Sequence, residues 1–440
     1  MLTTQPGAIT QWLQKTNRFT FACYVSVAAF CLYVCIFALR KTFGVGLYDT
    51  QQFAGIGLKS WMVIAQLLGY MLSKFLGIKF VSEADYKNRS KHIFILVSIA
   101  ALSWLGFAIT PAPYSLFFLF LNGLPLGMVW GLVFSYLEGR RLTEVLGASL
   151  SVSFIFSAGF AKSTGSWLMT FGVSELWMPF IAALLFFPPL LVFLFLLNQI
   201  PPPSTEDEAL RTKRKPMNKQ ERIQFIFIFW PGLISLIIAY TLLTAFRDFR
   251  DNFSADVWVT LGFGGKPALF TATEIPITLC VLVLIASLMA IKNNHTAMIV
   301  NHVIVLVGFV IVGLTTYLYD GGFISTFEWM LWIGMGLYFG YIQFNSIFFD
   351  RLIANFKYES NVGFLIYLAD SVGYLGSVTV VVYKELGQSN TNVVDFFKLG
   401  GYCIALAGTT CISISLYYFI RKKVKWMSHK HSNQKSSSIF

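Results

Sequence analysis

Twelve long stretches, each nearly free of charge, follow one another along this 440-residue chain. They cover about 19–39, 59–80, 93–110, 115–137, 146–171, 176–198, 223–246, 269–291, 297–318, 328–349, 361–383 and 398–420. Each is close to the ~20 apolar residues that a helix needs to cross a bilayer. Within lipid the backbone must satisfy its own hydrogen bonds, so runs of this length read as helices. Composition agrees: 56% of residues are hydrophobic and 12% charged, against roughly 25% charged in a soluble domain. The expected fold class is an all-α membrane protein with twelve transmembrane helices in two pseudo-symmetric six-helix bundles.

A net charge of +12 raises the question of nucleic acid. The basic residues instead sit between the apolar runs and in the tail. With the N-terminus placed inside, inner segments hold 23 Lys and Arg and outer segments 8. That is the positive-inside pattern, and it puts both termini in the cytoplasm. Pro201-Pro202-Pro203, Glu206-Asp207-Glu208 and a basic run from Arg211 to Arg222 form the one long hydrophilic interruption. Such composition marks a solvated linker. The expected organisation is an N-terminal six-helix bundle at 1–198, a cytoplasmic linker at 199–222, a C-terminal six-helix bundle at 223–420 and a basic, disordered cytoplasmic tail at 421–440. All six Cys lie inside apolar runs, which speaks against a disulfide framework or a zinc site. The first run is too long for a signal peptide's apolar region. A monomeric multi-pass protein of the inner (plasma) membrane, with no cofactor, metal or nucleic-acid partner, is expected.

A charge at the bilayer centre costs ~2.5–3.5 kcal/mol on insertion scales, so each one needs a partner, a cavity or a task. Arg40 and Lys41 end the first run, and Arg247 ends the first run of the second half. Their surroundings, Ala38-Leu39-Arg40-Lys41 and Ala245-Phe246-Arg247-Asp248, echo one another. Weak internal symmetry of this kind marks transporters with a site at the repeat interface. Arg offers a fork that grips phosphate or carboxylate bidentately. The competing reading is an interfacial anchor at the headgroups. Lys162 lies deep in the fifth run beside Ser163 and Thr164. It can add a third positive charge or lose its proton. Arg247 and Asp251 are four residues apart and can pair on a helix; Arg250 and Asp251 read as an outer-loop ion-pair network. Asp248 and Asp251 are gate candidates, as is Lys59, which starts the second run where Glu274 starts the eighth; a Lys59–Glu274 pair is the expectation. Asp370, in the eleventh run, is a proton-carrier or counter-ion candidate, and Glu274 is another. Gln343 and Asn345 are candidates for substrate hydroxyls or for helix–helix glue. Gly123, Gly127 and Gly131 share a helix face, and Gly334, Gly336 and Gly340 cluster; both sets read as packing. Trp12, Trp329 and Trp426 fit interfacial belts.

Several stretches resemble a known family. Twelve spans, a 6+6 split and a basic central loop look like the major facilitator superfamily. Tyr33-Val34-Cys35-Ile36-Phe37-Ala38-Leu39-Arg40-Lys41-Thr42-Phe43 resembles the first helix of its organophosphate:phosphate antiporters, the glycerol-3-phosphate and hexose-phosphate transporters. Gly69-Tyr70-Met71-Leu72-Ser73-Lys74-Phe75 resembles their second helix, and Gly373-Tyr374-Leu375-Gly376-Ser377 their eleventh. The resemblance implies a rocker-switch antiporter in which Arg40 and Arg247 bind the substrate phosphate. Three departures stand out, the first being the added charges Asp248, Arg250 and Asp251. Lys162 falls where those proteins carry a substrate-site His, and Ser82-Glu83-Ala84-Asp85-Tyr86-Lys87-Asn88-Arg89 replaces the superfamily's loop signature.

The expected function is secondary active transport of a small organic anion, a phosphate ester or carboxylate, by alternating access. Two other readings stay open: proton-coupled transport of another solute through Asp370 and Glu274, and a non-transporting sensor of the same fold. The chain carries no H-E-x-x-H, G-x-S-x-G or Walker sequence, so it is not expected to be an enzyme.

Overall fold

The computed structural model describes residues 7–49, 52–83, 88–138, 140, 142–203, 207, 219–356, 362–387 and 391–437. The loop reading at Ala84-Asp85-Tyr86-Lys87 and most of the linker, including Glu206, Glu208 and Arg211, lie outside the described residues, as does the Trp426 side chain.

Among the described residues the fold is all-α apart from one small hairpin. The elements are α1 (Ala8–Lys15), α2 (Arg18–Lys41) running into a 3-10 turn (Thr42–Val45), strands β1 (Gln52–Phe53) and β2 (Ile56–Gly57), α3 (Leu58–Glu83), α4 (Arg89–Ile109), α5 (Leu116–Leu137), α6 (Thr143–Thr170) and α7 (Met178–Asn198). Then follow α8 (Lys219–Thr260), α9 (Ala268–Met289), α10 (Asn294–Asp320), α11 (Thr326–Ser346), α12 (Phe348–Phe356), α13 (Val362–Gly387) and α14 (Val393–Ser437). The strands pair antiparallel, Gln52 with Gly57 and Phe53 with Ile56. All twelve apolar runs fall in helices. Among the described residues, ten of those helices are long and apolar enough to cross a membrane. Of the other two, α3 carries Lys59, Gln66 and Lys74, and α11 is rich in Gly, Tyr and Trp, residues that lower hydropathy without barring a membrane position.

Capping fixes several helix starts. The Asn17 side chain accepts from Thr20 N ahead of α2, and Ser325 with Glu328 forms a capping box ahead of α11. Three boundaries differ from the sequence reading. The run ending at 246 belongs to a helix that continues to Thr260, through all the charges after Arg247. The tail, expected to be disordered, is helical through Ser437. The polar N-terminus contains α1, on which Trp12 is half exposed and meets Tyr24 edge-on.

By internal packing the chain divides into two compact units. The first comprises Met1–Thr212, Asp248–Val283 and Ser377–Phe397; the second comprises Lys213–Arg247, Leu284–Gly376 and Lys398–Phe440. In the first, α3 and α5 approach through glycines. A Cβ on Gly69 would run into the Phe120 carbonyl, and one on Gly123 into that of Gln66. In the second, Gly308 and Gly336 meet backbone to backbone, and Gly340 packs on Leu243. Small residues at such crossings are what helix packing in lipid requires. Trp329, expected at an interface, is instead buried and stacked on Tyr319, with ring centroids 4.2 Å apart.

Candidate functional site

In the first unit the site begins where α2 stops. The last carbonyls of a helix have no partner within it, and in lipid they must find one. Thr42 Oγ1 donates back to Ala38 O at 3.0 Å. Trp104 Nε1 and Asn122 Nδ2 both donate to Leu39 O, at 2.6 and 3.1 Å. Gln66 Nε2 donates to Arg40 O at 3.0 Å and to Asn122 Oδ1 at 2.8 Å. The backbone at Arg40 is therefore fastened by side chains of α3, α4 and α5. The Arg40 side chain is only 7% exposed, and its guanidinium carbon lies 3.7 Å from the centroid of the Tyr70 ring. Lys74, one turn further along α3 and also buried, has Nζ 5.3 Å from the same centroid and 5.7 Å from that of Trp130. Cations over aromatic faces are held by the ring quadrupole, more strongly when water is excluded.

Beside them lies a network of buried ions. Lys41 Nζ is 2.9 Å from Asp251 Oδ2 and donates to Asn252 Oδ1 at 2.9 Å. Lys162 Nζ is 2.7 Å from Asp251 Oδ1 and also reaches Asp251 O and Ser254 Oγ. One carboxylate thus holds two ammonium groups, each with further oxygen acceptors. Arg250 Nη1 meets Glu274 Oε1 at 2.8 Å. Lys59 Nζ meets Asp256 Oδ2 at 2.5 Å and donates to Gly44 O at 3.0 Å. Ser377 Oγ donates to Asp248 Oδ2, and Ser60 Oγ to Glu385 Oε1, each at 2.8 Å. Burying a charge is tolerable only when it is paired and hydrogen-bonded, and this network meets that condition with side chains far apart in sequence.

In the second unit, the Arg247 guanidinium carbon lies 3.7 Å from the Tyr341 ring centroid. Tyr341 stacks on Tyr240, centroids 5.6 Å apart. The Tyr240 hydroxyl donates to Asp370 and accepts from Asn345 Nδ2. Gln343 Nε2 donates to Phe339 O of its own helix at 2.7 Å, and its buried Oε1 meets no donor among the described residues.

The structure corrects several sequence expectations. Lys59 pairs with Asp256, and Glu274 pairs with Arg250; they do not pair with each other. Asp251 turns to Lys41 and Lys162 rather than along its own helix to Arg247. Arg250 and Asp251 are buried helical residues, not members of an outer loop. Lys162 is bound to Asp251, and Asp370 accepts from Tyr240. Sequence reasoning missed Asp256, Tyr70, Tyr240 and Tyr341, and gave Lys74 no role. One signal was available: Asp248, Asn252 and Asp256 recur every four residues, the spacing of a helix face. Among the described residues, no group of three or more His, Cys, Asp or Glu is placed to hold a metal.

Comparison with known proteins agrees on the architecture. A D-xylose-proton symporter superposes with a TM-score of 0.62 at 14% identity, over 89% of this chain and 97% of that one. A mutant of the peptide transporter POT, in complex with sulfate, gives 0.60 at 14% identity, over 93% and 98%. The major facilitator superfamily proton:xylose symporter XylE gives 0.57 at 14% identity, over 90% and 95%. At such identities the likeness establishes the fold, the twelve-helix major facilitator fold. No match was found among curated proteins. The sequence profile of DUF5690, described as a family of unknown function, matches residues 42–422. With most of its length matched, the chain belongs to the DUF5690 family.

Proposed function

We propose that this protein is a secondary active transporter that moves a small organic anion, a phosphate ester or carboxylate, by alternating access. The observation that carries the reading is the matched placement of two arginines. Arg40 and Arg247 occupy echoing sequences in the first helix of each half, and each lies 3.7 Å over a tyrosine ring. Stacking fixes the plane of a guanidinium, and its N–H groups lie in that plane, which suits a bidentate grip on an oxyanion. Lys74 adds positive charge beside Arg40. The orphaned Gln343 Oε1 offers an acceptor for a solute hydroxyl. The Asp251 network acts as a latch that must part when the cycle turns, so the lysines and Asp251 are gate residues in this reading. The structural relatives, described as symporters of D-xylose and a transporter of peptides, lend support to transport as such. In this reading the membrane is the inner (plasma) membrane and both termini lie in the cytoplasm, an orientation that the Lys and Arg bias supports.

The test is a thermal-shift screen of the detergent-purified protein against small anions, alongside an Arg40→Ala/Arg247→Ala variant. A ligand of the native state at 100 times its Kd adds about 2.7 kcal/mol of stability. A phosphate ester or carboxylate should stabilise the native protein and leave the variant unmoved. Identical behaviour of both proteins toward every anion would sink the reading.

One observation favours a second reading, proton coupling. Glu274 Oε1 is held by Arg250, but its buried Oε2 meets no donor among the described residues. Flux that loses its pH dependence in Glu274→Gln, while Arg40 variants keep transporting, would select this reading over anion binding by the arginines.

A further inference from the structure

A cavity of about 270 Å³ lies wholly within the first unit and apart from the residues assigned above to the anion. Its volume is just under the ~300–1,000 Å³ range of small-molecule sites. The 3-10 turn after α2, the end of α6, the end of α8 and the start of α9 line it, and it is open on one side. Its walls are apolar and aromatic, with Leu47, Met169, Trp258, Phe263 and Phe270 contributing. Two charged residues also line it. Glu175 is already committed, since its two oxygens accept from Leu47 N at 2.7 Å and Tyr48 N at 2.9 Å. Lys266 is exposed at the rim, presented by a turn in which Gly265 has φ +72°. The cavity therefore combines an apolar body with one cation at its mouth. That chemistry suits a ligand with a long apolar part and a single charged end better than a small polar anion.

We infer that this cavity binds a medium-chain fatty carboxylate, with the chain among the aromatic side chains and the head group on Lys266. Such a ligand touches residues 45–47, 166–175 and 255–270 at once. It has more contacts in the state that brings these segments together than in any state that separates them, so it shifts the population toward the former. Binding itself stands independently of the transport reading; the expectation that the ligand slows cycling rests on it.

The probe is octanoate, with octanol as the uncharged control, added to the full-length protein in detergent while thermal unfolding is followed. Octanoate should raise the midpoint, and octanol should do so only at about three- to fivefold higher concentration, the scale of the missing ion pair. Lys266→Ala, at an exposed position that leaves folding intact, should weaken the apparent affinity about three- to fivefold, the scale of one exposed ion pair. Ser166→Trp, which fills the cavity from α6, should abolish the response. The Arg40→Ala/Arg247→Ala variant should keep it in full. An equal response to octanol, or a full response in Ser166→Trp, overturns the inference. Loss of the response in the arginine variant alone also overturns it, by assigning octanoate to the anion site. If the anion screen fails while octanoate still binds through Lys266, the transport reading falls and the cavity stands.

Discussion

The two halves of the sequence bring opposite charges to the first unit. The first half supplies cations and a hydroxyl: Lys41, Lys59, Lys162 and Ser60. The second half supplies carboxylates: Asp251, Asp256 and Glu385. Arg250 and Glu274 pair within the second half, and so neutralise themselves. The helices that carry the charges differ too. After Arg40, α2 gives way to a 3-10 turn and its last carbonyls are tied down by side chains. After Arg247, α8 keeps its helical form for more than three turns and presents acids at helical spacing. The repeat thus preserves the arginine and changes everything beyond it. The difference separates two kinds of sequence: an echo around the arginines, and divergent ends that pair cations of the first half with carboxylates of the second inside the first unit. Opposite charges placed on opposite halves also disfavour wrong pairings, because juxtaposed like charges are costly.

The comparison can be broken most severely at Asp251. Asp251→Ala strands two buried lysines, and removal of one partner from a buried pair costs about 3–5 kcal/mol. Thermal or denaturant unfolding should show the largest loss of any single change in the network; a loss under about 1 kcal/mol would mean that water reaches the lysines. Lys59 and Asp256 offer a sharper test, because a swap exists. Asp256 has 21% of its side chain exposed, so Lys59→Asp or Asp256→Lys alone should cost about 1–3 kcal/mol, between the exposed and buried limits. The swapped double variant should regain more than half of that sum, and failure to regain any would deny that the pair is what matters. The smallest effect is expected at Ser60→Ala, which removes a hydroxyl donor from Glu385. It should cost about 0.5–1.5 kcal/mol, as for an ordinary hydrogen bond, and a double cycle with Glu385→Gln should attribute most of it to that contact.

Much of the fold was legible because hydropathy and helix length act over twenty residues at a time. The twelve runs became twelve helices for that reason, and the Gly123 and Gly127 face became a helix crossing. The end of α8 was misread because a hydropathy reading counts Arg247, Asp248, Arg250, Asp251 and Asp256 as five separate penalties. In the fold most of these are cancelled by residues such as Lys41, Lys162 and Ser377, and sequence distance hides the cancellation. The same blindness led to the pairing of Lys59 with Glu274: matching positions in two repeats fix height in the membrane, not azimuth around the helix. Tyr70 and Tyr341 were overlooked because an aromatic residue in an apolar run looks like bulk until a cation is seen on its face. Trp329 was placed at an interface by its position near a run's end, whereas stacking on Tyr319 keeps it inside.

The pairing of early lysines with late aspartates also sets a timetable for synthesis. Lys162 precedes Asp251 by 89 residues, and Lys41 precedes its neighbour Asn252 by 211. At ~5–20 residues per second, the first helix waits roughly 10–40 s for its counter-charge to leave the ribosome. During that interval the first half holds cations for which no acid yet exists, so it must keep them hydrated or near headgroups instead of closing around them. A nascent first half is therefore an unfinished object, open to proteases and quality control until α8 arrives. Residues 1–198 expressed alone should be degraded quickly, and supplying 223–440 as a separate polypeptide should rescue them.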